Sequence, residues 1–203
     1  GIGANEVTRF IQQSSSSAVL NRITGQNPSQ ILGSLQSNGR VFLINPNGIV
    51  FGRNSVIDTA GLIASTLNIS NNDFINNHLR FEDLANNAEI LNQGFIHTSN
   101  KGEVVLIAPH VKNEGAIDVE DGNILLAAGQ SVTVSSLNYD NIEFEVQAPE
   151  HDVVNIGTLM TDGGSIGVFA GSIANKGVVS ANAIEVDAAG NIRFVAKADT
   201  IIE

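Results

Sequence analysis

The sequence predicts an all-β protein folded as a parallel β-helix, and three features of the chain lead to this fold class. Short apolar segments rich in Val, Ile and Phe recur along the chain, as is typical of β-strands. Two such segments, separated by turn residues, return roughly every 20 residues. The 24 asparagines and 20 glycines among 203 residues imply many tight corners, because both residue types accept left-handed backbone angles.

The first repeated element reads Asn-x-Gly-x-apolar. Its copies begin at Asn92, Asn113, Asn155 and Asn175, at intervals of 21, 42 and 20 residues. We interpret the middle interval as two periods, one of them a degenerate copy. This period fits one rung of a parallel β-helix, and is too short for a propeller blade or a βαβ unit. We therefore expect the corner asparagines to hydrogen-bond to one another from rung to rung.

The second repeated element is a glycine followed by an apolar run that ends in alanine. Its copies begin at Gly102, Gly122, Gly164 and Gly190, and no stretch of the chain has a convincing helical period. A leucine-rich-repeat horseshoe is the nearest alternative solenoid, but its leucine-dense template is not found here. The side chains expected to point into the core include Val104, Leu106, Ile124, Leu126, Ile166 and Val168.

Two segments break the period, and we expect them to leave the β-helix. Residues 70–91 form a long, asparagine-rich excursion. Residues 135–152 contain the alternating run Ile142–Val146, which predicts a half-exposed strand outside the helix. Either segment could be a functional loop, but we favour a flap that covers an exposed face or edge.

Composition excludes several classes of function. A net charge of −11 makes the chain a poor candidate for binding nucleic acid or anionic membranes. No run approaches the roughly 18 apolar residues of a spanning helix, so we expect no membrane insertion. The absence of cysteine excludes thiol catalysis, cysteine-based zinc sites and disulfides, and it suits a chain that crosses an oxidising periplasm unfolded.

The sequence shows no convincing catalytic or metal-binding constellation. Its histidines are not at metal-ligand spacing, and we interpret each as exposed or in a loop: His78, His97, His110 and His151. Two groups of acids could supply a general acid and base, but solvated turn acids are the favoured interpretation: Asp118, Glu120 and Asp121; Glu143, Glu145, Glu150 and Asp152. We therefore expect no enzyme, no catalytic residue, no metal and no cofactor. One glycosylation sequon, at Asn68, carries little weight.

We expect residues 1–203 to form a single β-helix domain. Residues 1–80 would hold the first, motif-bearing rungs and residues 81–203 the regular rungs. The chain opens at Gly1 without a charged and apolar leader, and it closes at Glu203 without a stop signal. Both ends therefore read as cuts through a longer protein.

The densest motif lies in the first rungs. Residues 38–49 read Asn-Gly-Arg-Val-Phe-Leu-Ile-Asn-Pro-Asn-Gly-Ile, which is a strand, a tight turn and the start of a second strand. Pro46 fixes its own φ in the turn, and Gly48 can take a positive φ. Residues 17–24 read Ser-Ala-Val-Leu-Asn-Arg-Ile-Thr, and residues 61–71 read Gly-Leu-Ile-Ala-Ser-Thr-Leu-Asn-Ile-Ser-Asn.

These stretches resemble the secretion domain shared by filamentous haemagglutinins, haemolysins and high-molecular-weight nonpilus adhesins of the two-partner secretion pathway. The resemblance is specific over residues 5–75 and looser through residue 203. It implies a right-handed parallel β-helix that an outer-membrane β-barrel transporter recognises through its periplasmic domains. The signature-turn and transporter-recognition residues that it implies are Asn21, Arg22, Asn45, Pro46, Asn47, Gly48 and Ile49.

The function implied by the resemblance is that of an N-terminal secretion-signal domain of a large adhesin. The domain would nucleate β-helix folding during export through the periplasm and outer membrane to the cell surface. Its partners would be the transporter and downstream parts of the same exoprotein, and we expect a monomer. The alternatives are a module that binds host glycan or protein and, less favoured, a polysaccharide-cleaving β-helix. Both alternatives are disfavoured because the chain has few aromatic side chains on which a sugar could stack, with no Trp and one Tyr.

Overall fold

The protein is an elongated stack of β-strands, seen in a computed structural model that describes residues 1–98, 101–138, 141–147, 152–162, 164–181, 183–186, 192–195 and 201–202. The first elements are β1 Val7–Phe10, β2 Ala18–Arg22, β3 Ser29–Ile31, β4 Ser34–Ile44, β5 Ile49–Phe51, β6 Val56–Ser65, β7 Asn68–Ile69, α1 Asn71–Ile75 and β8 Leu79–Glu82. They are followed by β9 Glu89–Asn92, β10 Phe95–Thr98, β11 Glu103–Ala108, β12 His110–Asn113, β13 Ala116–Glu120, β14 Asn123–Ala128, β15 Ser131–Asn138 and β16 Asn141–Gln147. The last are β17 Asp152–Asn155, β18 Thr158–Asp162, β19 Ser165–Phe169, β20 Ser172–Asn175, β21 Val178–Ser180, β22 Ala183–Val186, β23 Ile192–Val195 and β24 Ile201–Ile202.

Successive rungs each contribute three strands, which stack in parallel on those of the rung before. Strands β9, β10 and β11 form one rung, β12, β13 and β14 the next, and β17, β18 and β19 a third. The first strand of each rung joins a six-stranded sheet ordered β20-β17-β12-β9-β5-β3, and the other two join a 14-stranded sheet. Right-handed crossovers are the rule for parallel strands. The predicted right-handed parallel β-helix is confirmed.

The core is a continuous column of aliphatic side chains inside the rungs. Five of the six residues predicted to point inward are fully buried, and Val168 is partly buried against the same cluster. Full burial of one such side chain stabilises the fold by about 1.5–3 kcal/mol. Because every rung repeats this contribution, the stack rather than any local segment holds the fold.

The predicted asparagine ladder runs along one corner of the β-helix. The Nδ2 of Asn92 donates to Oδ1 of Asn113 at 2.8 Å, Asn113 donates to Asn155 at 2.8 Å, and Asn155 donates to Asn175 at 2.7 Å. The glycine two residues later is required by close stacking. A Cβ on Gly115 would lie 2.1 Å from the carbonyl oxygen of the glycine one rung earlier. The Asn-x-Gly pattern is thus a consequence of the ladder and of the tight backbone approach beside it.

The prediction of a degenerate rung between Asn113 and Asn155 is wrong. These two residues are direct partners in the parallel register of β12 and β17, so one rung covers the whole interval. The extra length is β15 and β16, an antiparallel pair that lies outside the parallel stack. An inserted hairpin of about one rung's length has the same spacing as an additional rung, so spacing alone could not distinguish them.

Both segments that break the period leave the β-helix, as predicted, although the predicted bounds run into β9 and to the first residue of β17. The two excursions meet in one antiparallel sheet ordered β16-β15-β8-β7. We call β7, α1, β8, β15 and β16 the flap. Apolar side chains of the flap, Phe81 and Val132 among them, pack on the outward face of β4, β6, β11 and β14 in a second buried cluster. The short helix α1, which the sequence did not predict, adds Phe74, whose ring meets Phe42 edge to face at 5.0 Å. The flap covers a face, as the favoured interpretation held.

The copy of the second element that begins at Gly190 was expected to stack in parallel, and this expectation is wrong. Strand β23 runs antiparallel between β19 and β22, and β24 runs antiparallel to β21. An antiparallel partner needs only a short turn, whereas a parallel one needs a full crossover. Within the part of the chain that the structure describes, no helix is long and apolar enough to span a bilayer.

Candidate functional site

The motif over residues 45–49 forms the tight turn between β4 and β5. The backbone N–H of Gly48 donates to the carbonyl oxygen of Asn45 at 3.1 Å, which closes the turn. Gly48 has a φ of +109°, a conformation that side-chain-bearing residues rarely adopt. Ile49 is fully buried in the core and pairs with Ser29 and Ile90 of the flanking rungs.

Asn45 is fully buried, and its side chain holds two neighbouring segments. Its Nδ2 donates to the carbonyl oxygen of Asn27 at 3.0 Å and to Oγ of Ser29 at 2.9 Å. Its Oδ1 accepts from the backbone N–H of Asn47 at 2.9 Å, the side-chain turn that asparagine favours. Both ends of the Asn45 amide are therefore occupied by partners inside the protein, and none of its side chain is exposed.

Asn47 and Pro46 form the outer part of the turn. The Nδ2 of Asn47 donates to the carbonyl oxygen of Gly25 at 2.8 Å, so the turn also grips the exposed stretch of residues 24–28, which we call the N-terminal loop. Pro46 is exposed, while its carbonyl oxygen accepts from Nδ2 of Asn86 at 3.0 Å. The turn therefore presents Pro46 and the N-terminal loop on one surface.

Asn21 and Arg22 lie at the same end of the β-helix. They close β2, where Arg22 pairs with Ile44, the residue immediately before the turn. The guanidinium of Arg22 donates to Oδ1 of Asn68 at 3.1 Å, to Oδ1 of Asn71 at 2.9 Å and to the carbonyl oxygen of Ile69 at 2.5 Å. Arg22 thus fastens β2 to the start of the flap.

Asn21 is the one residue of the seven predicted signature and recognition residues that has a buried side-chain atom without a hydrogen-bond partner. It is half-buried, and its Nδ2 has no hydrogen-bond partner in the described part of the chain. The structure thus brings the two motifs together at the ends of β2 and β4. Sequence reasoning missed the residues that they hold, Asn27, Gly25 and Ile69, because each contributes a backbone carbonyl, for which no residue type gives a signal.

Two of the histidines were wrongly interpreted as exposed or in loops. His97 lies on β10, half-buried, with its ring stacked on Phe95 and its Nδ1 3.5 Å from Oδ2 of Asp118. His110 lies on β12 and hydrogen-bonds to Asp152 on the adjacent strand. The strand register places each histidine beside an acid from the next rung. The sequence alone does not give this register, so it could not predict the two pairs.

The remaining histidines and the two groups of acids from the sequence analysis fall into three sets: some lie where they were expected, some do not, and some lie outside the described residues. His78 is largely exposed, and Glu120 and Asp121 lie at the end of a strand and in the following turn. Asp118 and Asp152 are histidine partners on strands, not turn acids. His151, Glu150 and the side chains of Glu143 and Glu145 lie outside the described residues. Among those described, no three His, Asp or Glu side chains are grouped closely enough to hold a metal ion.

The shifted pKa values among the described groups belong to Lys112 and Glu114, which lie away from the turn. A hydrogen bond to the Glu114 carboxylate at 2.7 Å raises the pKa of Lys112. Hydrogen bonds from Gln93 and from Lys112 lower the pKa of Glu114. This pair lies on either side of Asn113 in the sequence and adds no chemistry to the turn.

Residues 1–197 match the family model of the TPS secretion domain. The chain belongs to the TPS secretion domain family. It is similar to the HMW1 secretion domain from Haemophilus influenzae in its crystal structure, with a TM-score of 0.84 and 44% identity over 90% of this chain and 50% of that chain. The β-helix and the resemblance to two-partner secretion domains are thereby confirmed.

Two curated relatives are heme/hemopexin-binding proteins of Haemophilus influenzae. One is 34% identical over 141 residues, which is 65% of this chain and 15% of the relative, and the other is 33% identical over 93 residues, 46% of this chain and 10% of the relative. The chain therefore spans a small part of the length of these relatives. The TPS secretion domain family is a family of secretion domains and not of enzymes.

Proposed function

We propose that this TPS secretion domain is the export signal of a longer adhesin. An outer-membrane β-barrel transporter recognises its first, motif-bearing rungs through periplasmic domains, and these rungs then nucleate folding of the rest of the β-helix during export. The observation that carries the proposal is the use of Asn45 and Asn47. Both side chains are directed to neighbouring backbone, and together they hold the exposed N-terminal loop beside Pro46.

The signature residues act in this proposal by positioning a surface. The corresponding corner of a later rung, between β11 and β12, is made by Ala108, Pro109 and His110, whereas the turn at residues 45–48 adds two asparagines and a glycine. These additions fix residues 24–28, all of them exposed, in one arrangement. A receptor loses less entropy on binding a surface that is already ordered. Arg22 contributes by fixing the start of the flap at the same end.

Folding of the stacked rungs would favour export without ATP. Each rung contacts mainly its neighbours, so a rung that folds outside the cell adds its core and ladder contacts to those already formed. Those contacts oppose return of the chain through the transporter. The folded rungs would also serve as a template on which downstream parts of the exoprotein stack. In the proposal these downstream parts are the partner of the domain besides the transporter.

Secretion from cells that contain or lack the transporter tests the proposal. The chain, preceded by a leader that delivers it to the periplasm, is produced with and without its candidate β-barrel transporter, which is sought first in the gene beside its own. We expect it in the medium only when the transporter is present, and in the periplasm otherwise. Equal release in both strains would overturn the proposal. A periplasmic protein without a TPS secretion domain serves as the control for leakage.

A further inference from the structure

Two asparagines of the chain, Asn38 and Asn47, are followed directly by glycine, and both lie in the motif over residues 38–49. Asparagine is among the residues that are chemically labile in proteins. It is most labile before glycine, because the backbone nitrogen of a residue without a Cβ can approach Cγ of the asparagine side chain freely. No other asparagine of the chain precedes a glycine. The motif therefore holds both of its labile Asn-Gly pairs.

The reaction open to such a pair replaces the side-chain amide by a carboxylate. The glycine N–H gives its proton to hydroxide, its nitrogen bonds to Cγ of the asparagine, and the side-chain nitrogen leaves as ammonia. Water then opens the resulting succinimide ring at either of its carbonyl groups, which leaves aspartate or isoaspartate. The net change consumes water and releases ammonia, so it needs no enzyme, oxidant or cofactor.

The fold requires glycine at both positions. A Cβ on Gly39 would lie 2.7 Å from the carbonyl oxygen of Ser17 and 2.6 Å from the side chain of Gln12. Gly48 has a φ of +109°, which favours glycine. The asparagines are constrained as well, since their amides donate to the carbonyl oxygens of Gln12 and Gly25. The first rungs therefore impose the labile pairs on the sequence.

In the folded chain the amide of Asn38 is paired with the backbone of Gln12. Its Oδ1 accepts from the N–H of Gln12 at 2.7 Å, and its Nδ2 donates to the carbonyl oxygen of Gln12 at 2.8 Å. The N–H of Gly39, which would have to attack, donates to Oγ of Ser37 at 3.1 Å. Both reacting groups are engaged, so the reaction requires that these hydrogen bonds break first.

The turn holds the pair at Asn47 in the same way. Nδ2 of Asn47, the group that would leave, donates to the carbonyl oxygen of Gly25 at 2.8 Å and to Oδ1 of Asn45 at 3.2 Å. The N–H of Gly48, the nucleophile, donates to the carbonyl oxygen of Asn45 at 3.1 Å. Asn45 therefore restrains both partners of the reaction.

We propose that Asn38 and Asn47 are sites of spontaneous deamidation in the unfolded chain, and that the first rungs suppress the reaction once they form. The product hinders those rungs from forming. A carboxylate in place of either amide has no hydrogen to donate, and it would face the carbonyl oxygen of Gln12 or of Gly25. The inference goes beyond the proposed function and stands whether or not the domain is an export signal.

The experiment incubates the full chain, folded or in guanidinium chloride, at one temperature and one mildly alkaline pH. Trypsin cleaves after arginine, so the two sites fall on separate peptides, residues 23–40 and 41–53, in which mass spectrometry follows each amide. We expect both sites to react in denaturant and about tenfold more slowly or less in the folded chain, equivalent to about 1.4 kcal/mol in the barrier.

Each peptide carries its own control. Asn27 lies in the first peptide and Asn45 in the second, and both precede proline, which has no N–H with which to attack. We expect neither control to react measurably in denaturant. Equal rates at Asn38 and Asn47 in the folded and denatured chains would overturn the protection. Absence of reaction at both in denaturant would overturn the sites themselves. Either result leaves the proposed function standing.

Two kinds of variant test the mechanism and the effect of the product. Ser37→Ala frees the N–H of Gly39, so Asn38 should react faster in the folded chain, while Asn47 in the same molecule keeps its rate. Asn38→Asp and Asn47→Asp should lower the thermal midpoint, whereas Asn54→Asp, at an exposed asparagine, should leave it unchanged. An unchanged rate at Asn38 in Ser37→Ala would contradict the role of that hydrogen bond, and aspartate variants as stable as Asn54→Asp would contradict the effect of the product.

Discussion

The side-chain amide of Asn47 donates a hydrogen bond to the carbonyl oxygen of Gly25 at 2.8 Å, and this contact joins the signature turn to a loop 22 residues earlier. Asn45 makes a second connection to the same loop through the carbonyl oxygen of Asn27. The motif is therefore a clamp on its neighbouring segment. A substitution in the clamp is expected to alter the surface of the loop even where the turn itself survives.

Removing one member of the buried ladder should destabilise the whole stack. Asn113→Ala leaves the amide of Asn92 without its acceptor and Oδ1 of Asn155 without its donor, both of them buried. We expect a loss of about 2 kcal/mol in the free energy of unfolding, because buried groups are left unsatisfied. Asn175→Ala, at the exposed end of the ladder, should cost less than half as much. Urea unfolding measures both, and equal losses would contradict a cooperative ladder.

The flap should behave as part of the core. Phe81 is fully buried between the flap and the outward face of the β-helix. Phe81→Ala should lower the free energy of unfolding by about 3–5 kcal/mol, through lost burial and the cavity left behind. Leu84→Ala, a nearby exposed residue, should change it by about 0.5 kcal/mol or less. Thermal unfolding checks the difference; a small effect at Phe81 would mean that the flap is detachable.

Arg22 should control the order of the flap's first turn. Arg22→Ala removes three hydrogen bonds to residues 68–71, so we expect faster amide hydrogen exchange in α1, at Phe74 and Asn76. Arg22→Lys should rescue only partly, because an ammonium cannot reproduce the planar fork of contacts. Arg53→Ala, at another exposed arginine, is the control. Exchange that is unchanged in α1 for Arg22→Ala would contradict the proposed role.

Much of the fold follows from the sequence because a stack repeats its requirements. The corner between the first and second strands of each rung needs an asparagine for the ladder and a glycine for close approach, so Asn113 and Gly115 mark their rung by residue type. The insertion after β14 carries no such marker residues. Its alternating run predicts a strand, but the sequence does not tell whether that strand adds a rung to the stack or pairs with strands outside it. The outcome depends on a distant partner, β8, some 50 residues earlier.

The site was only partly predictable for a related reason. Asn45, Asn47 and Arg22 are conspicuous in the sequence, and the structure places them at one end of the β-helix. Their direction is set by packing: Asn45 points inward and donates to the hydroxyl of Ser29 and to the carbonyl oxygen of Asn27, and a backbone carbonyl has no signature in the sequence. The pairing of His97 with Asp118 likewise depends on the register between rungs. That these motif residues serve transporter recognition stays a prediction.

Secretion measured against stability for matched asparagine variants tests the central claim most directly. Asn45→Ala and Asn47→Ala release the N-terminal loop, whereas Asn113→Ala removes a comparable buried side chain from a later rung. We expect the two turn variants to be secreted about tenfold less than Asn113→Ala at the same loss of stability, as if about 1.4 kcal/mol of recognition had been lost. Secretion that follows stability alone, with all three variants on one line, would contradict the claim that the turn presents the export signal.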